Sequence, residues 1–446
     1  MIKRDQHCAK AGASTVVPVV LVLFVLIGLD GLGSMRTNVE IGAYYLRPYA
    51  QTESHVRDVK ECGIDFISEI SQNSTNAFDL LHKYGLKAIA LGPMPERCAS
   101  GQKRELQPPE MILRCAGKIG NHPAILMTDL ADEPSALDFP YYGEIVRLVG
   151  EVRPDARLYM NLYPNYASVA KNSDSEARSQ LGARTYSDYL ESYASNMPLD
   201  YLSFDYYVYS APTNAPESLI PGMFENLRNA AEVCRRTGRD LWFIPQVNSI
   251  HPSLWLSENM LRYQAFTAMS FGAEVINWAC YTAGWWTNQV LDAAGEKTEQ
   301  YEKLRRVNSE IKTMGGYYMR FRPLDTVFVG FSGSASDWLR GVKAESRVSF
   351  SDGFFMDVRA SDGSPLVIGT RRSRDPASND RALFITAVDD PLDRNPRTFE
   401  VTFRTHYNVK AVGPRGPVSV DVDEDGVCHV ILQSNSAVLI CGRLKK

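Results

Sequence analysis

The sequence has little of what marks several common classes of protein. It carries eight cysteines in 446 residues, none in a C-x-x-C arrangement, and seven scattered histidines. This pattern gives neither a zinc-ligand spacing nor a disulfide scaffold. With 48 basic and 52 acidic residues the formal net charge is −4, which argues against a broad polybasic surface for nucleic acid. No heptad is sustained along the chain, so a coiled coil is excluded.

The few cysteines are expected to be buried or paired. Cys98 and Cys115 flank one loop and could form a disulfide, as could Cys428 and Cys441. The cysteines in predicted helices and strands read as small core residues: Cys62, Cys234 and Cys280.

The first 35 residues are predicted to lie outside the fold. Lys3 and Arg4 precede an almost wholly apolar run from Val16 to Leu29, and small residues follow it. This order is typical of a secretory signal. An uncleaved anchor is the alternative, although the run is short for a spanning helix of about 20 residues. We therefore expect a secreted, periplasmic or extracellular protein that meets a membrane only through an uncleaved N-terminal segment.

Between about residues 40 and 320, short β runs alternate with amphipathic helix patterns. The first run is Ile41–Leu46 and the eighth is Val275–Tyr281. Eight β–α pairs in this length match the arithmetic of a (β/α)8 TIM barrel. A doubly wound open sheet would usually carry a Gly-rich phosphate loop after its first strand, and the sequence has none there.

After about Val327 the pattern changes to short alternating runs without helix signals. The turn clusters SDG, DEDG and PRGP separate these runs. Such a pattern is typical of an all-β domain, and we predict a small sandwich over residues 325–446.

Active sites of (β/α)8 barrels lie at the carboxyl ends of the strands, where this sequence places acidic, amide and aromatic side chains. The polar candidates are Glu69, Asp132, Glu133, Asn161, Asp205, Gln246 and His251. The aromatic residues at or near these ends are Tyr44, Tyr45, Tyr163, Tyr166, Tyr206, Tyr207, Tyr209, Tyr281, Trp285 and Trp286. The expected substrate contacts among the aromatics are Tyr45, Tyr163, Tyr206 and Trp285, with Trp278 inside strand eight as a floor. Carboxylates inside an aromatic rim suit a carbohydrate, because the apolar faces of a sugar stack on rings while its hydroxyls need polar partners.

Glycoside cleavage needs one carboxyl group that protonates the leaving oxygen and a second that attacks or activates water. Glu133 is the expected acid, since Asp129 and Asp132 nearby would raise its pKa. Asp205 is the expected second carboxylate. Structural roles remain open for each: a helix N-cap for Glu133, a buried hydrogen-bonded carboxylate for Asp205, a supporting partner for Glu69 and loop packing for His251.

Several motifs resemble those of a known family. The stretch Asn121–Leu126 leading to Asp132-Glu133-Pro134 resembles the fourth-strand motif of clan A glycoside hydrolases, whose Glu is the acid/base. The segment Asn161–Tyr166 (NLYPNY), the SYDHYP-like segment Ser203–Val208 and the order of motifs are similar to secreted bacterial glycoside hydrolases. The resemblance covers roughly residues 40 to 320 and implies a (β/α)8 glycosidase with Glu133 as the acid.

One departure from that family is important. Retaining clan A enzymes carry a nucleophilic Glu at the end of strand seven, where this sequence has Gln246, and an amide cannot act as that nucleophile. Four explanations stay open. Asp205 or Glu69 acts as the base of an inverting reaction; the substrate supplies its own nucleophile, with Asp205 or Gln246 orienting it; another carboxylate attacks; or the protein is an inactive carbohydrate binder.

The sequence therefore predicts a glycoside hydrolase acting on a poly- or oligosaccharide, without a metal or organic cofactor. The alternatives are a non-catalytic binding barrel and a lyase or transglycosylase on the same fold. The sequence does not indicate the sugar, the linkage or the oligomeric state.

Overall fold

The computed structural model describes residues 36–93, 108–210, 216–249, 251–282, 286–331, 337–343, 345–393 and 395–443. The predicted signal or anchor at residues 1–35, most of the loop between Pro93 and Pro109, Cys98 and Trp285 lie outside the described residues. Among the described residues, no helix is long and apolar enough to cross a membrane.

The first part of the described chain is a parallel eight-stranded barrel surrounded by helices, as predicted. Its strands β1 to β8 are Glu40–Tyr44, Phe66–Ser71, Lys87–Leu91, Ile125–Asp132, Leu158–Asn161, Tyr201–Asp205, Asp240–Ile244 and Ala273–Trp278. Its helices α1 to α8 are Glu53–Glu61, Thr75–Lys83, Pro109–Ala116, Phe139–Val152, Tyr186–Asn196, Ile220–Thr237, Glu258–Ser270 and Glu299–Tyr318.

The strands follow the order β5-β4-β3-β2-β1-β8-β7-β6. The two outer strands of this order meet at a parallel bridge between Leu162 and Phe204. The Leu162 N–H donates to the carbonyl of Ser203 at 2.9 Å, just beyond the end of β5. This contact brings the last two strands together, so the sheet is a nearly closed barrel.

Large side chains fill the amino-terminal half of the barrel interior. Phe66, Ile89, Met127, Tyr159, Tyr201, Trp242 and Val275 form one buried cluster. Gly42 allows this packing, because a Cβ there would lie 2.3 Å from a ring atom of Phe66. The barrel is therefore a packed core at this end, and only its opposite end is available for a ligand.

The chain after α8 forms two packed antiparallel-rich sheets, which confirms the predicted sandwich. Its strands β9 to β19 are Phe321–Val329, Ser346–Arg347, Met356–Ala360, Leu366–Ser373, Arg381–Ala387, Thr398–Arg404, Asn408–Gly413, Gly416–Val418, Asp421–Val422, Val427–Gln433 and Ala437–Arg443. One sheet has the order β10-β9-β12-β13-β19-β15-β16 and the other β11-β14-β18-β17. Buried side chains such as Ile368, Val401, Phe403 and Ile440 pack between them.

The larger sheet packs directly on α7 and α8. The hydroxyls of Ser270 and Thr386 lie 2.8 Å apart across this contact, and Thr386 donates to the carbonyl of Phe266. The guanidinium of Arg371 lies 3.6 Å from the ring centre of Tyr318. Arg36–Lys446 accordingly forms one compact unit.

The six cysteines within the described residues form no disulfide. Cys62, Cys234 and Cys280 are buried, as expected of small core residues. The proposed Cys428–Cys441 pair is wrong, because Cys428 lies in the core between the two sheets whereas Cys441 packs towards the barrel. Cys115 forms no disulfide within the described residues either.

The contact between sheet and helix generates a stability prediction. Gly369 in β12 lies so close to α7 that an added Cβ would be 2.2 Å from the carbonyl oxygen of Ser270. We expect Gly369→Ala to lower the free energy of unfolding by about 1–3 kcal/mol, because backbone must move to make room. Gly353→Ala is the control, since nothing lies within 4 Å of a Cβ there. Equal urea midpoints for the two variants would contradict this account.

Candidate active site

Irregularities in two strands place carboxylates at the carboxyl end of the barrel. The pairing of β2 with β3 shifts register between Ser68 and Ile70, and Glu69 between them has a φ of 67°. Ile70 remains in the outer core, so the extra residue is Glu69. A bulge of this kind re-aims one side chain without disturbing those around it.

Strand β4 has a similar shift between Asp129 and Ala131 and ends at Asp132. The side-chain amide of Asn161 donates to Asp132 at 3.2 Å and to Asp205 at 2.9 Å. Three neighbouring strands, β4, β5 and β6, are thus joined by one amide group. The two carboxylates repel each other, so the charge of Asp132 disfavours ionisation of Asp205.

Asp205 ends β6 and is only 2% exposed. Burial, and then the charge of Asp132, raises the pKa of Asp205 to about 7. Hydrogen bonds from Asn161 and from the Tyr207 hydroxyl act in the opposite direction. Asp205 is therefore a buried, hydrogen-bonded carboxyl group, which is the structural role left open above. Its pKa also suits acid–base chemistry near neutral pH.

Glu69 is a second carboxyl group with an altered pKa. Burial, and then the charge of Asp132, raises the pKa of Glu69 to about 7, while the guanidinium of Arg47 acts in the opposite direction. Asp132 therefore lies between Glu69 and Asp205 and influences both. These three carboxyl groups form one electrostatic cluster, which we call the mouth cluster.

Glu133 follows Asp132 and is half-buried beside the mouth cluster. It has a φ of 49°, and its N–H donates to the carbonyl of Asn161 at 2.9 Å. It does not cap a helix, because Ser135 caps the 3₁₀ turn that follows. Burial, Asp205 and Glu133 together raise the pKa of Tyr166, so this ring lies near both carboxylates.

Aromatic rings surround the mouth cluster. The Tyr207 and Trp286 rings meet edge to face at 4.6 Å, and the Tyr44 and Tyr45 rings at 5.7 Å. Tyr166 is 46% exposed and offers a ring face to solvent. Tyr45, Tyr166 and Tyr207 therefore offer apolar surface beside the acidic groups, whereas Tyr44 and Trp286 are buried against Tyr45 and Tyr207.

Three of the predicted substrate-binding residues lie away from the mouth. Trp278 is fully buried and donates from Nε1 to Asn308 of α8 at 2.9 Å, on the outer side of β8. Tyr206 is 1% exposed and donates to the carbonyl of Leu219. Gln246 is fully buried, and its side-chain oxygen accepts from the Tyr209 N–H at 2.7 Å. None of these three side chains is available to line a subsite.

The remaining predicted residues that the structure describes lie near the carboxyl ends of the strands, as expected. Tyr163 is half-buried after β5, with its backbone held by Tyr189 and Tyr186. His251 is half-buried after β7, and its N–H donates to Ser249 Oγ at 2.9 Å. Tyr45, with a φ of 63°, directly follows β1.

The sequence placed Tyr166, Tyr207 and Trp286 near the strand ends without assigning them to the substrate, and it gave no indication of Arg47. Strand alternation could have identified Tyr207, because Asp205 faces inward and Tyr206 therefore faces outward. No pattern in the sequence distinguishes Arg47. Among the described residues, no group of three or more His, Cys, Asp and Glu side chains is arranged to hold a metal ion.

No protein-family model matches the sequence, and no curated protein matches it either. A solved structure described as a glycoside hydrolase is similar at a TM-score of 0.46 and 11% identity, covering 91% of this chain and 92% of that chain.

Two further solved structures are similar over the barrel. A GH128 (subgroup II) endo-β-1,3-glucanase from Sorangium cellulosum has a TM-score of 0.39 and 13% identity, over 60% of this chain and 97% of its own. An endo-1,4-β-D-mannanase from Thermotoga petrophila RKU-1 has a TM-score of 0.40 and 9% identity, over 60% of this chain and 99% of its own. At these values the likenesses carry no information on the activity of this chain.

The raised pKa of Asp205 generates a prediction about stability. The folded protein keeps a proton there that the unfolded chain loses near pH 4, so this group's contribution to stability falls as pH rises from about 4 to 7. We expect Asp205→Asn to become more stable relative to the wild type across this window, by at most about 4 kcal/mol. Thermal unfolding at pH 4 and 8 measures it. The exposed Asp425→Asn is the control, and a pH-independent difference for Asp205→Asn would refute the prediction.

The hydroxyl of Tyr207 provides a second, independent test. It donates to Asp205 and lowers the pKa of that carboxyl, so Tyr207→Phe should raise the pKa by about one unit. Carbon-detected NMR titration of the aspartate carboxyls measures the shift. Tyr209→Phe is matched, because its hydroxyl donates to the carbonyl of Met260 instead. An unchanged Asp205 titration in Tyr207→Phe would show that this hydrogen bond is absent.

Proposed function

We propose that this protein hydrolyses glycosidic bonds in a poly- or oligosaccharide. The observation that carries the proposal is the pair Asp132 and Asp205, joined by the Asn161 amide, with the pKa of Asp205 raised to about 7. Carboxyl groups tuned towards neutral pH at the carboxyl end of a barrel indicate acid–base chemistry. The aromatic rings around them favour a carbohydrate as the substrate.

In the proposed reaction Glu133 protonates the leaving oxygen and Asp205 accepts a proton from the attacking water. Glu133 is half-buried beside Asp132 and Asp205, and Tyr166 lies near both Glu133 and Asp205. A pKa of about 7 suits a base that works near neutral pH, since it is unprotonated often enough and still accepts a proton readily. Asn161 would orient Asp205 by its hydrogen bond.

Gln246, which lies beyond the end of strand β7, favours an inverting reaction. Gln246 occupies the position of the usual nucleophile, and its amide is engaged with the backbone of Tyr209 and Asn248. It therefore supports the fold around the site instead of attacking the sugar. With no carboxylate there, activation of water by Asp205 is the simplest route left to a second catalytic group.

We further propose that the protein acts outside the cytoplasm. This rests on the order of basic, apolar and small residues before Met35, which is typical of an export signal. The acidic overall charge fits a carbohydrate better than nucleic acid as the partner.

Activity on a panel of polysaccharides tests the proposal. We expect Glu133→Gln and Asp205→Asn each to lower kcat/KM by about 10²–10⁴-fold, because each removes a proton-transfer group. Glu110→Gln, on the exposed face of α3, is the control and should leave turnover unchanged. If the wild type binds glycans and cleaves none of them, the protein is a binding barrel. An unsaturated product absorbing in the ultraviolet would indicate a lyase.

The stereochemistry of the product tests the role of Asp205 separately. Proton NMR of the first product formed should show an inverted anomeric configuration. Retention would exclude Asp205 as the base of an inverting reaction and point to a nucleophile supplied by the substrate or by a carboxylate of the mouth cluster.

A further inference from the structure

The loop after β1 holds Arg47 at the mouth of the barrel. Its backbone N–H donates to Thr282 Oγ1 at 2.9 Å, and the same hydroxyl donates to the carbonyl of Tyr45 at 2.9 Å. Leu46 between them is 2% exposed, and its carbonyl accepts from Gln51 at 2.8 Å. These contacts fix the loop from both sides, so the position of Arg47 is set by the fold.

The side chain of Arg47 is exposed but oriented. Its guanidinium lies 4.9 Å from the ring centre of Tyr45, which is a cation–π distance. Within the part of the chain that the structure describes, this guanidinium forms no ion pair within 4.0 Å and no hydrogen bond. Arg262 and Arg153, in contrast, each bind a carboxylate at less than 3 Å. Arg47 is thus held on a ring, and none of the described residues accepts a hydrogen bond from its guanidinium.

Arg47 also faces the mouth cluster. Its charge is near enough to Glu69 and to Cys280 to oppose the rise in pKa that burial causes in both groups. Glu69 does not neutralise it as a salt bridge would, because no nitrogen–oxygen contact within 4.0 Å joins the two side chains. A positive group therefore stands at the rim of an acidic site, where it is available to a ligand.

We propose that Arg47 binds the anionic group, a carboxylate or a sulfate, of an acidic sugar in the subsite between Tyr45 and Glu69. This rests on the proposed glycan-cleaving function and specifies its substrate class. The planar guanidinium matches a carboxylate or sulfate with two parallel hydrogen bonds, and its stacking on Tyr45 reduces the freedom lost on binding. The carboxylates of the mouth repel an anionic sugar, so an acidic sugar needs a nearby cation in order to bind.

Binding measurements with matched glycans test the proposal. The probes are oligosaccharides of homogalacturonan, glucuronan, mannuronan and a sulfated galactan, each beside its carboxyl-reduced or desulfated counterpart. Calorimetry on Glu133→Gln at pH 7 gives affinities without cleavage. We expect at least one acidic probe to bind more tightly than its neutral counterpart, and Arg47→Ala in that background to weaken it by about 10–100-fold.

Two controls show whether the effect comes from the guanidinium. Arg57→Ala removes the same charge from the exposed face of α1 and should leave the affinity unchanged. Arg47→Lys keeps the charge and should restore only part of the affinity, because an ammonium lacks the planar pair of donors. A carboxylated probe that responds while the sulfated one does not identifies a uronate, and the reverse identifies a sulfate ester.

The proposal is overturned if no acidic probe binds better than its neutral counterpart, or if Arg47→Ala weakens both equally. These results are separable from a failure of the proposed function. Cleavage of neutral glycans, with no acidic probe preferred over its neutral counterpart, would keep the hydrolase and refute the acidic-sugar subsite. Arg47-dependent binding of acidic probes that the wild type never cleaves would keep the subsite and refute the hydrolase.

Discussion

Like-charge repulsion among Glu69, Asp132 and Asp205 is the constraint around which the mouth of the barrel is built. Glu69 and Asp205 each gain by staying protonated when Asp132 is ionised, and their burial strengthens that tendency. The site tolerates them because specific donors oppose the repulsion. Asn161 binds two of the carboxylates at once, and Arg47 offsets the charge of the third. The same crowding that costs stability keeps protons available near neutral pH.

The barrel and sandwich could be predicted because buried side chains recur along the sequence at spacings that differ between helices and strands. The predicted strand ends are less accurate, since β1 and β8 stop two and three residues before the predicted Leu46 and Tyr281. The loops beyond them are also buried, as Leu46 at 2% and Tyr281 at 0% exposure show. An apolar run therefore indicates burial and continues past the last strand hydrogen bond. Cys428 and Cys441 illustrate a related limit, because adjacency along the chain does not reveal which sheet a strand joins.

The location of the candidate site could be predicted from the sequence, but the side chains that line it could be predicted only in part. Glu69, Asp132, Glu133, Asn161 and Asp205 follow from the rule that barrel sites lie at strand ends. Trp278 and Tyr206 were misplaced because alternation was not carried to the strand end, where Asn277 and Asp205 face inward. Gln246 was misplaced for a different reason. It lies beyond the end of β7, and its side-chain oxygen accepts a hydrogen bond from the backbone N–H of Tyr209. Bulges such as the one at Glu69 depend on pairing with a neighbouring strand, which no local pattern encodes.

The two ends of the barrel interior divide stability from function. Rings such as Trp242 and Tyr201, 4.9 Å apart, fill the amino-terminal end, and the Tyr201 hydroxyl donates to the carbonyl of Leu158. A hydrogen-bonded series from Tyr44 through Tyr159 to Ser203 lies above them and separates this apolar floor from the carboxylates. Because these hydroxyls satisfy one another, they bury polar atoms at little cost beneath the acidic groups. The unfavourable charges are thus confined to one layer at the carboxyl end of the barrel, in which Asp132 is exposed, Glu69 is half-buried and Asp205 is buried.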